Sequence, residues 1–569
     1  MGRTLARWAC LGAAALAAVL ACMSEGSDDN YTADGHGWPD VRSDGSADAS
    51  SEGSPDRVGA DADADGDARA DSSWESWDPD SSPDGGADDG TAAESAADTW
   101  EAYEASPEAV EDVPDVGDSV LLDVCAPVIE EPQVYYLSAD DSNSQASPVI
   151  ARWLIRSGNL VPASLVRTWE FLNYYDVRYD FPARGHVNVV PQLLDLPGDD
   201  GRVAFQIGVQ GHEQTDETRR RLSLTLSLDT SGSMAGTPLE YEKAVVRALA
   251  SSLRFGDTVS VVTWNDSRTV ALDSHPVSGP DDATLLAVAD ALVSGGRTNL
   301  DAGLDLAYEL AVANRRPGTL NRVVLISDGQ ANVGVTSPPL IARHAEGAEE
   351  DGIYLVGVGT GNGYDDTLMD TVTDLGKGAY VFIDSTAEAR RQFVDHFYAN
   401  MELAVADVRV ELTLPPQLRM QEFHGEEIST DPEEVDPQHL APNDAMIFHQ
   451  YLYRCPGLAD EDPIRVVAEY TSLQTHARQT DAVDTSLEAL QAGSRMQLYK
   501  GNAIVVYAEG LKSIYDLLRY SGYAAARAEC DRVRAEVRTA ADILDDQELD
   551  DILLLMTSYC ADLSSRREP

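Results

Sequence analysis

The stretch that most constrains the fold is residues 221–239, RLSLTLSLDTSGSMAGTPL. Leucine alternates with Ser and Thr over residues 222–228, which predicts a β-strand. That strand runs directly into Asp229, Ser231 and Ser233, and a helical pattern follows. One carboxylate and two hydroxyls at two-residue spacing are hard oxygen ligands, which suit a small divalent cation such as Mg²⁺. Because open α/β sheets place their sites at the carboxyl ends of strands, this turn is a candidate metal site.

Two later segments supply further oxygen ligands at comparable structural points. Thr298 lies in the loop GGRTNL between two helical patterns. The apolar run 321–327, NRVVLIS, predicts a second strand, which ends in Asp328. If both segments reach the same sheet edge as the first turn, a hydroxyl and a carboxylate join the set.

With these motifs, residues 221–400 resemble a von Willebrand factor A (VWA) domain with a complete metal-ion-dependent adhesion site. The resemblance implies that Ser231, Ser233 and Thr298 ligate Mg²⁺ or Mn²⁺ through their hydroxyls. It implies that Asp229 and Asp328 bind the metal directly or hold its coordinating waters. One position would stay open for an acidic group on a partner. The alternative is a VWA fold whose site no longer binds metal.

Strand and helix patterns alternate throughout this stretch, which predicts a Rossmann-like α/β domain with a parallel-rich, doubly wound sheet. The predicted strands are 222–228, 258–264, 321–327, 353–358 and 379–383, and the predicted helices are 241–253, 284–293, 300–314, 340–350, 365–375 and 387–400.

The α/β domain is flanked by a small α+β N-terminal region, residues 125–215, and by a C-terminal β plus helical region. In the N-terminal region, WEFLNYY at 169–175 resembles the segment that precedes the VWA domain in a family of uncharacterised bacterial VWA lipoproteins. We expect these aromatic residues to pack against a neighbouring domain. Strand patterns predict a β-rich accessory domain over 401–484, and helical patterns predict a helical region over 485–569.

Residues 1–22 are predicted to be a lipoprotein signal peptide. Arg3 and Arg7 precede an apolar run, 10–21, that is shorter than the roughly 20 residues of a membrane-spanning helix. The run ends in VLAC, which resembles a bacterial lipobox and implies that Cys22 carries lipid, although Leu20 departs from the usual small residue. The alternative is an ordinary secretory signal. We expect a lipid-anchored protein of the bacterial cell envelope, with the outer membrane favoured.

Residues 23–124 are rich in Asp, Ser, Gly and Ala, with roughly thirty acidic residues and few large aliphatic ones. This composition predicts a disordered acidic tether with a reach on the order of 50–60 Å. The whole chain has a net charge of -57 and a pI near 4.2, which argues against nucleic acid as a partner.

Four cysteines remain after the signal peptide and Cys22: Cys125, Cys455, Cys530 and Cys560. In an exported protein they are expected to form two disulfides. Of the three pairings, we favour Cys530–Cys560, joining two C-terminal helices, with Cys125–Cys455. Four free thiols are the alternative.

The sequence favours a binding protein with no catalytic residues, whose partner is a protein or glycan that supplies a carboxylate. The alternatives are a metal-assisted hydrolase at the same site and an envelope scaffold with a vestigial metal site. A hydrolase needs a general base, and His212, His275 and His344 stand isolated in the sequence. Arg297 and Asn299 flank Thr298 and are interpreted as a solvated rim.

Overall fold

The computed structural model describes residues 124–566, with short gaps at 127–128, 141–142, 197, 199–200, 317, 338–340, 345–351, 362–363 and 377. The predicted signal peptide, the lipidation site Cys22 and all but the last residue of the predicted tether lie outside the described residues. So does most of the predicted helix 340–350.

The strands, in chain order, are β1 Gln133–Ser138, β2 Asn188–Asp195, β3 Arg202–Gln210, β4 Leu222–Asp229, β5 Thr258–Trp264, β6 Arg268–Pro276, β7 Leu320–Ser327, β8 Ile353–Thr360, β9 Tyr380–Ile383, β10 Val405–Leu414, β11 Leu418–Phe423, β12 Glu427–Ser429, β13 Gln438–Leu440, β14 Ala445–Arg454, β15 Pro463–Ser472 and β16 Arg478–Ser486.

The α-helices are α1 Ala146–Arg156, α2 Thr168–Tyr174, α3 Thr237–Ser252, α4 Ala283–Ala291, α5 Leu300–Ala313, α6 Asp366–Gly376, α7 Thr386–Arg390, α8 Phe397–Met401, α9 Leu487–Ala492, α10 Met496–Tyr520, α11 Tyr523–Leu544 and α12 Gln547–Ser565. None of these described helices combines the length and apolar character needed to cross a membrane.

The central sheet has the strand order β6-β5-β4-β7-β8-β9. All neighbours are parallel except the edge strand β6, which runs antiparallel to β5. The leucines of β4 pack with α3 and α4 on one face of the sheet. On the other face the hydroxyl of Ser227 accepts a hydrogen bond from Trp264 Nε1 at 3.0 Å, so the polar side of β4 is buried as well. The parallel-rich, doubly wound sheet predicted from the sequence is confirmed.

The two flanking regions combine their strands into a β-sandwich. One sheet has the order β12-β1-β10-β15-β16, with β13 beside β10, and the other has the order β11-β14-β3-β2. The sheets enclose one apolar core that includes Leu137, Phe205, Ile207, Leu412, Phe448 and Val466. Since β1, β2 and β3 precede the α/β unit and the others follow it, that unit is inserted into the sandwich.

A helical layer completes the molecule. Helix α10 lies against β3 and β14, and α11 and α12 pack behind it in the same apolar cluster as α1 and α2. Phe171 meets Tyr507 edge to face at 5.4 Å between ring centroids, so the aromatic segment packs internally as expected. Disulfides join Cys530 to Cys560 and Cys125 to Cys455, the pairing favoured from the sequence.

The helix predicted over 387–400 is interrupted in the structure. A π-helical turn, Arg391–Asp395, separates α7 from α8. Buried polar side chains accompany the interruption: Asn400 Nδ2 donates to the backbone oxygen of Gln392 at 2.8 Å, and Gln392 Nε2 donates to Glu388 Oε1 at 2.9 Å. These bonds fix an irregular backbone that helical periodicity alone does not reveal.

Candidate metal site

Asp229, the last residue of β4, is fully buried at the carboxyl edge of the central sheet. Its Oδ1 accepts a hydrogen bond from the backbone N–H of Ser231 at 2.8 Å. Its Oδ2 accepts from the hydroxyl of Ser327 at 2.7 Å. Because Ser327 ends the neighbouring parallel strand β7, the carboxylate is held between two strand ends.

The two serines of the turn after β4 lie at different depths. Ser231 is buried, Ser233 is exposed, and their hydroxyl oxygens lie 3.1 Å apart. The Ser233 hydroxyl also lies close enough to the carboxylate of Asp328, which follows β7, to oppose the rise in the pKa of that carboxylate. The turn therefore lies beside both acidic residues of the predicted ligand set.

Thr298 lies at the same sheet edge and is buried. Its backbone N–H donates to Asn332 Oδ1 at 2.9 Å, and Asn332 Nδ2 donates to its hydroxyl oxygen at 3.4 Å. The backbone N–H groups of Asn332 and Val333 both donate to the Thr298 carbonyl at 3.1 Å. The loop after β7 thus fixes the position of the Thr298 hydroxyl.

Backbone hydrogen bonds join the Thr298 loop to the serine turn. Gly295 N–H donates to the Thr230 carbonyl at 2.8 Å, and Gly232 N–H donates to the Gly296 carbonyl at 3.0 Å. Gly296 has φ +85°, and a Cβ there would lie 2.5 Å from Asp266 Oδ2. Glycine is required at 296 by both its backbone conformation and this close approach.

Acidic groups are concentrated at this corner of the sheet. Burial, together with the nearby charge of Asp328, raises the pKa of Asp229 to about 7. Burial also raises the pKa of Asp328, against the opposing effect of the Ser233 hydroxyl. Glu242 on α3 is fully buried beside them, and neither of its carboxylate oxygens makes a hydrogen bond that satisfies ordinary geometry. Burial and the charge of Asp229 raise its pKa well above the usual range. A cation at this corner would offset the cost of these buried acids.

The donor set fits a hard divalent cation. The structure brings Asp229, Ser231, Ser233, Thr298 and Asp328 to one edge of the sheet, and all of their side-chain donors are oxygens. Within the described residues, no group of three or more His, Cys, Asp or Glu side chains is arranged to hold a metal. A site here therefore depends on its hydroxyl groups as well as on its carboxylates.

The family comparison matches this part of the molecule. A family model described as "von Willebrand factor type A domain" matches residues 224–396, which span the central sheet and its site. Residues 224–396 form a VWA domain. VWA domains often mediate metal-dependent protein–protein interaction and commonly bind a divalent metal at the adhesion-site motif.

Relatives of the chain occur in distant organisms. It is 27% identical over 325 residues to the uncharacterized protein YfbK of Escherichia coli (strain K12), covering 53% of this chain and 56% of YfbK. The chain spans about half the length of the curated relatives it matches.

Among solved structures, a von Willebrand factor type A protein from Catenulispora acidiphila aligns with a TM-score of 0.44 at 14% identity, covering 66% of this chain and 91% of that one. Proximal thread matrix protein 1 from the mussel byssus, with a zinc-occupied MIDAS motif, aligns with a TM-score of 0.26 at 18% identity over 31% of this chain and 46% of that one.

Three residues around the VWA site were not singled out by the sequence patterns. Ser327 and Asn332 hold Asp229 and Thr298 in place, and Glu242 lies buried beneath the site. Ser327 could have been found from its place as the last strand residue before Asp328. Asn332 and Glu242 carry no comparable local signal.

Proposed function

We propose that this protein is a lipid-anchored bacterial envelope protein that binds a partner protein through a divalent metal at the VWA site. The observation that carries the proposal is the gathering of Asp229, Ser231, Ser233, Thr298 and Asp328 at one sheet edge, with Ser233 exposed to an approaching ligand. Arrival of the partner's carboxylate at the metal would need no catalytic base.

Mg²⁺ or Mn²⁺ is the proposed ion because every donor is a hard oxygen. When bound, the metal would supply the positive charge that attracts a partner's carboxylate. The chain's own side chains would hold it: three hydroxyls as ligands and two carboxylates as ligands or as acceptors from coordinated water. The hydrogen bond from Ser327 to Asp229 orients one of those carboxylates in advance.

Anchorage at the membrane is proposed from the sequence. The signal-like segment ending in Cys22 supports a lipid anchor, and the acidic residues 23–124 support a long tether. A net charge of -57 makes nucleic acid an unsuitable partner.

Metal-assisted hydrolysis is the less favoured function, because it requires a general base near the metal. His344 already faces Asp301 at 2.8 Å through Nε2 and Asp305 at 3.7 Å through Nδ1. His275 contacts Asp282 at 3.0 Å, and His212 is buried. We therefore propose a binding protein and not an enzyme.

The test is a calorimetric titration of Mg²⁺ and Mn²⁺ into the chain lacking its first 22 residues. We expect saturable binding that is lost in Asp229→Ala and retained in Asp290→Ala, a control at an exposed acid on α4. Binding that persists in Asp229→Ala would place the metal elsewhere. A wild-type protein that binds neither ion would favour a scaffold with a vestigial site.

A further inference from the structure

Arg297 occupies a fixed place beside the metal site. It precedes Thr298 in the loop whose glycines are hydrogen-bonded to the serine turn. Its Nε donates to Asp266 Oδ1 at 2.6 Å, and its backbone N–H donates to Asp266 Oδ2 at 2.9 Å. The side chain is nevertheless 72% exposed. Arg297 is thus oriented by Asp266 at its inner edge while the rest of its guanidinium reaches solvent.

The surroundings make this positive charge distinctive. The described residues of the loops that frame the site are 230–236, 265–267, 293–299 and 328–337, and Arg297 is the one Lys or Arg among them. The same loops carry Asp266 and Asp328, and Asp229 lies directly beneath. Within these loops, an acidic partner therefore meets attractive charge at a bound metal and at Arg297.

The pair with Asp266 does not by itself account for an arginine at this position. Exposed ion pairs contribute only about 0–1 kcal/mol to stability. The hydrogen bonds of Arg297 to the described residues use Nε and the backbone N–H, and its two terminal nitrogens make none. A guanidinium with unused terminal N–H groups is suited to a second carboxylate, which it can grip with two parallel hydrogen bonds.

We propose that Arg297 is the second anchor for the partner, and that the partner is an acidic protein segment with two neighbouring carboxylates. One carboxylate binds the metal and the other binds the terminal nitrogens of Arg297. This inference rests on the proposed metal-dependent binding function. It narrows the partner from any carboxylate-bearing molecule to a segment with paired Asp or Glu side chains.

The experiment compares two synthetic peptides on the Mn²⁺-loaded chain lacking residues 1–22. One peptide has a single Asp in a Gly/Ser background, and the other has a second Asp two residues away, which lies on the same side of an extended strand. We expect wild type to bind the two-Asp peptide about tenfold more tightly, as one added charge-assisted pair allows. Arg297→Ala should reduce that affinity to the level of the one-Asp peptide, with Mn²⁺ affinity unchanged. Arg297→Lys should give an intermediate value.

Arg268→Ala is the matched control, because Arg268 is a nearby exposed arginine whose charge is paired with Asp305 on α5. It should leave both peptides unaffected. Equal loss for both peptides in Arg297→Ala, or no loss for the two-Asp peptide, would overturn the inference. Metal-dependent binding of both peptides with equal affinity would retain the function and refute the role of Arg297. Failure of wild type to bind either peptide would refute both.

Discussion

At the scale of single residues, Ser327 shows how the fold prepares the metal site. Its hydroxyl donates to Asp229 Oδ2 at 2.7 Å and accepts from the Gly329 N–H at 3.0 Å. One side chain therefore sets both the carboxylate at the end of β4 and the turn after β7. Asp229 is buried, so a carboxylate that turned away from these donors would lose its hydrogen bonds and would have no water to replace them.

Ser327→Ala is expected to weaken Mg²⁺ and Mn²⁺ binding about tenfold or more. A hydrogen bond to a charged group is worth about 1.5–3 kcal/mol, and about 1.4 kcal/mol is a factor of ten in affinity. Calorimetric titration measures the change. Ser251→Ala, which removes a hydroxyl bonded to the Ala248 carbonyl on α3, should leave metal affinity unchanged. Equal metal affinities in wild type and Ser327→Ala would show that the hydroxyl does not position Asp229.

The two acidic ligand residues could be proposed from sequence because each lies at the end of a recognisable apolar run. Asp229 follows the leucine-alternating strand, and Asp328 follows NRVVLIS. The supporting residues could not, because their function comes from contacts across the fold. Asn332 meets Thr298 from a separate loop, and Glu242 reaches the site from a helix whose other buried positions are apolar.

At the scale of elements, a buried ionic seam joins the VWA domain to the helical flanks. Arg152 on α1 bridges Asp384 at 2.8 Å and Glu388 at 2.7 Å, and it also donates to the Tyr174 hydroxyl at 2.7 Å. Arg391 in the π-helical turn extends the seam to Glu548 on α12 at 2.7 Å. The last helices of the VWA domain are thereby tied to segments before and after it.

Arg152→Met should destabilise the protein by about 3–5 kcal/mol, because it leaves two nearly buried carboxylates without their shared cation. Arg156→Met is the control: Arg156 is 63% exposed and lies 3.7 Å from the same Asp384. Its loss should cost less than about 1 kcal/mol. Urea unfolding of both variants measures the difference. Similar costs for the two would mean that the seam contributes little.

The contact between β14 and the helical layer contains buried histidines. His449 is fully buried; its ring lies 5.3 Å from that of His424 and 5.3 Å from that of Tyr451. Burial, together with the charges of His424 and Arg202, holds the pKa of His449 well below its usual 6.5. In the unfolded chain the same imidazole takes up a proton near pH 6.5.

The stability contributed by neutral His449 should be fully present above about pH 6.5 and fall as the pH is lowered below it. The loss approaches about 1.4 kcal/mol per pH unit, because only the unfolded state binds the proton. Urea unfolding at pH 7.5 and 5.0 measures it. In His449→Gln the drop between these pH values should be smaller than in wild type, and an unchanged drop would assign the acid sensitivity to other groups.

Exposed edge strands account for the elements that the sequence patterns did not predict. β6 and β16 lie at sheet edges, and most of their side chains are exposed or half-buried. Their sequences, RTVALDSHP and RQTDAVDTS, accordingly lack the sustained apolar alternation that predicted β4. The core strands were predictable because both of their faces, or one complete face, must be apolar.

At the scale of the whole molecule, the VWA domain is an insertion between strands of one sandwich. β3 pairs with β14 and β1 pairs with β10, although each pair is separated by the complete VWA domain in sequence. The local pattern of apolar residues does not predict such long-range pairing, because the pattern depends on which face of a strand is buried and not on which strand lies beside it. The N-terminal and C-terminal regions were therefore predicted as separate regions from the sequence, whereas in the structure their strands form shared sheets.

The two disulfides should differ in their effect on stability. Replacing Cys125 and Cys455 with Ser removes a link between residues 330 positions apart, whereas replacing Cys530 and Cys560 removes a link across 30. A disulfide typically contributes about 2–4 kcal/mol, and the chain-entropy account makes the loss of the longer closure the more costly. Chemical denaturation of the two double variants ranks them. A larger loss from the Cys530–Cys560 variant would contradict this order.

The Cys125–Cys455 disulfide also determines how the molecule carries mechanical load. A pull on the chain ahead of Cys125 passes covalently to Cys455, just after β14, before it can reach β1. With the disulfide reduced, the same pull against a ligand held by the VWA domain would act on β1 and β10 at their amino ends. Since these strands are antiparallel, from Gln133 opposite Leu414 to Leu137 opposite Val410, the force would shear them along their length. With the disulfide intact, the β1–β10 pairing would stay out of the line of tension.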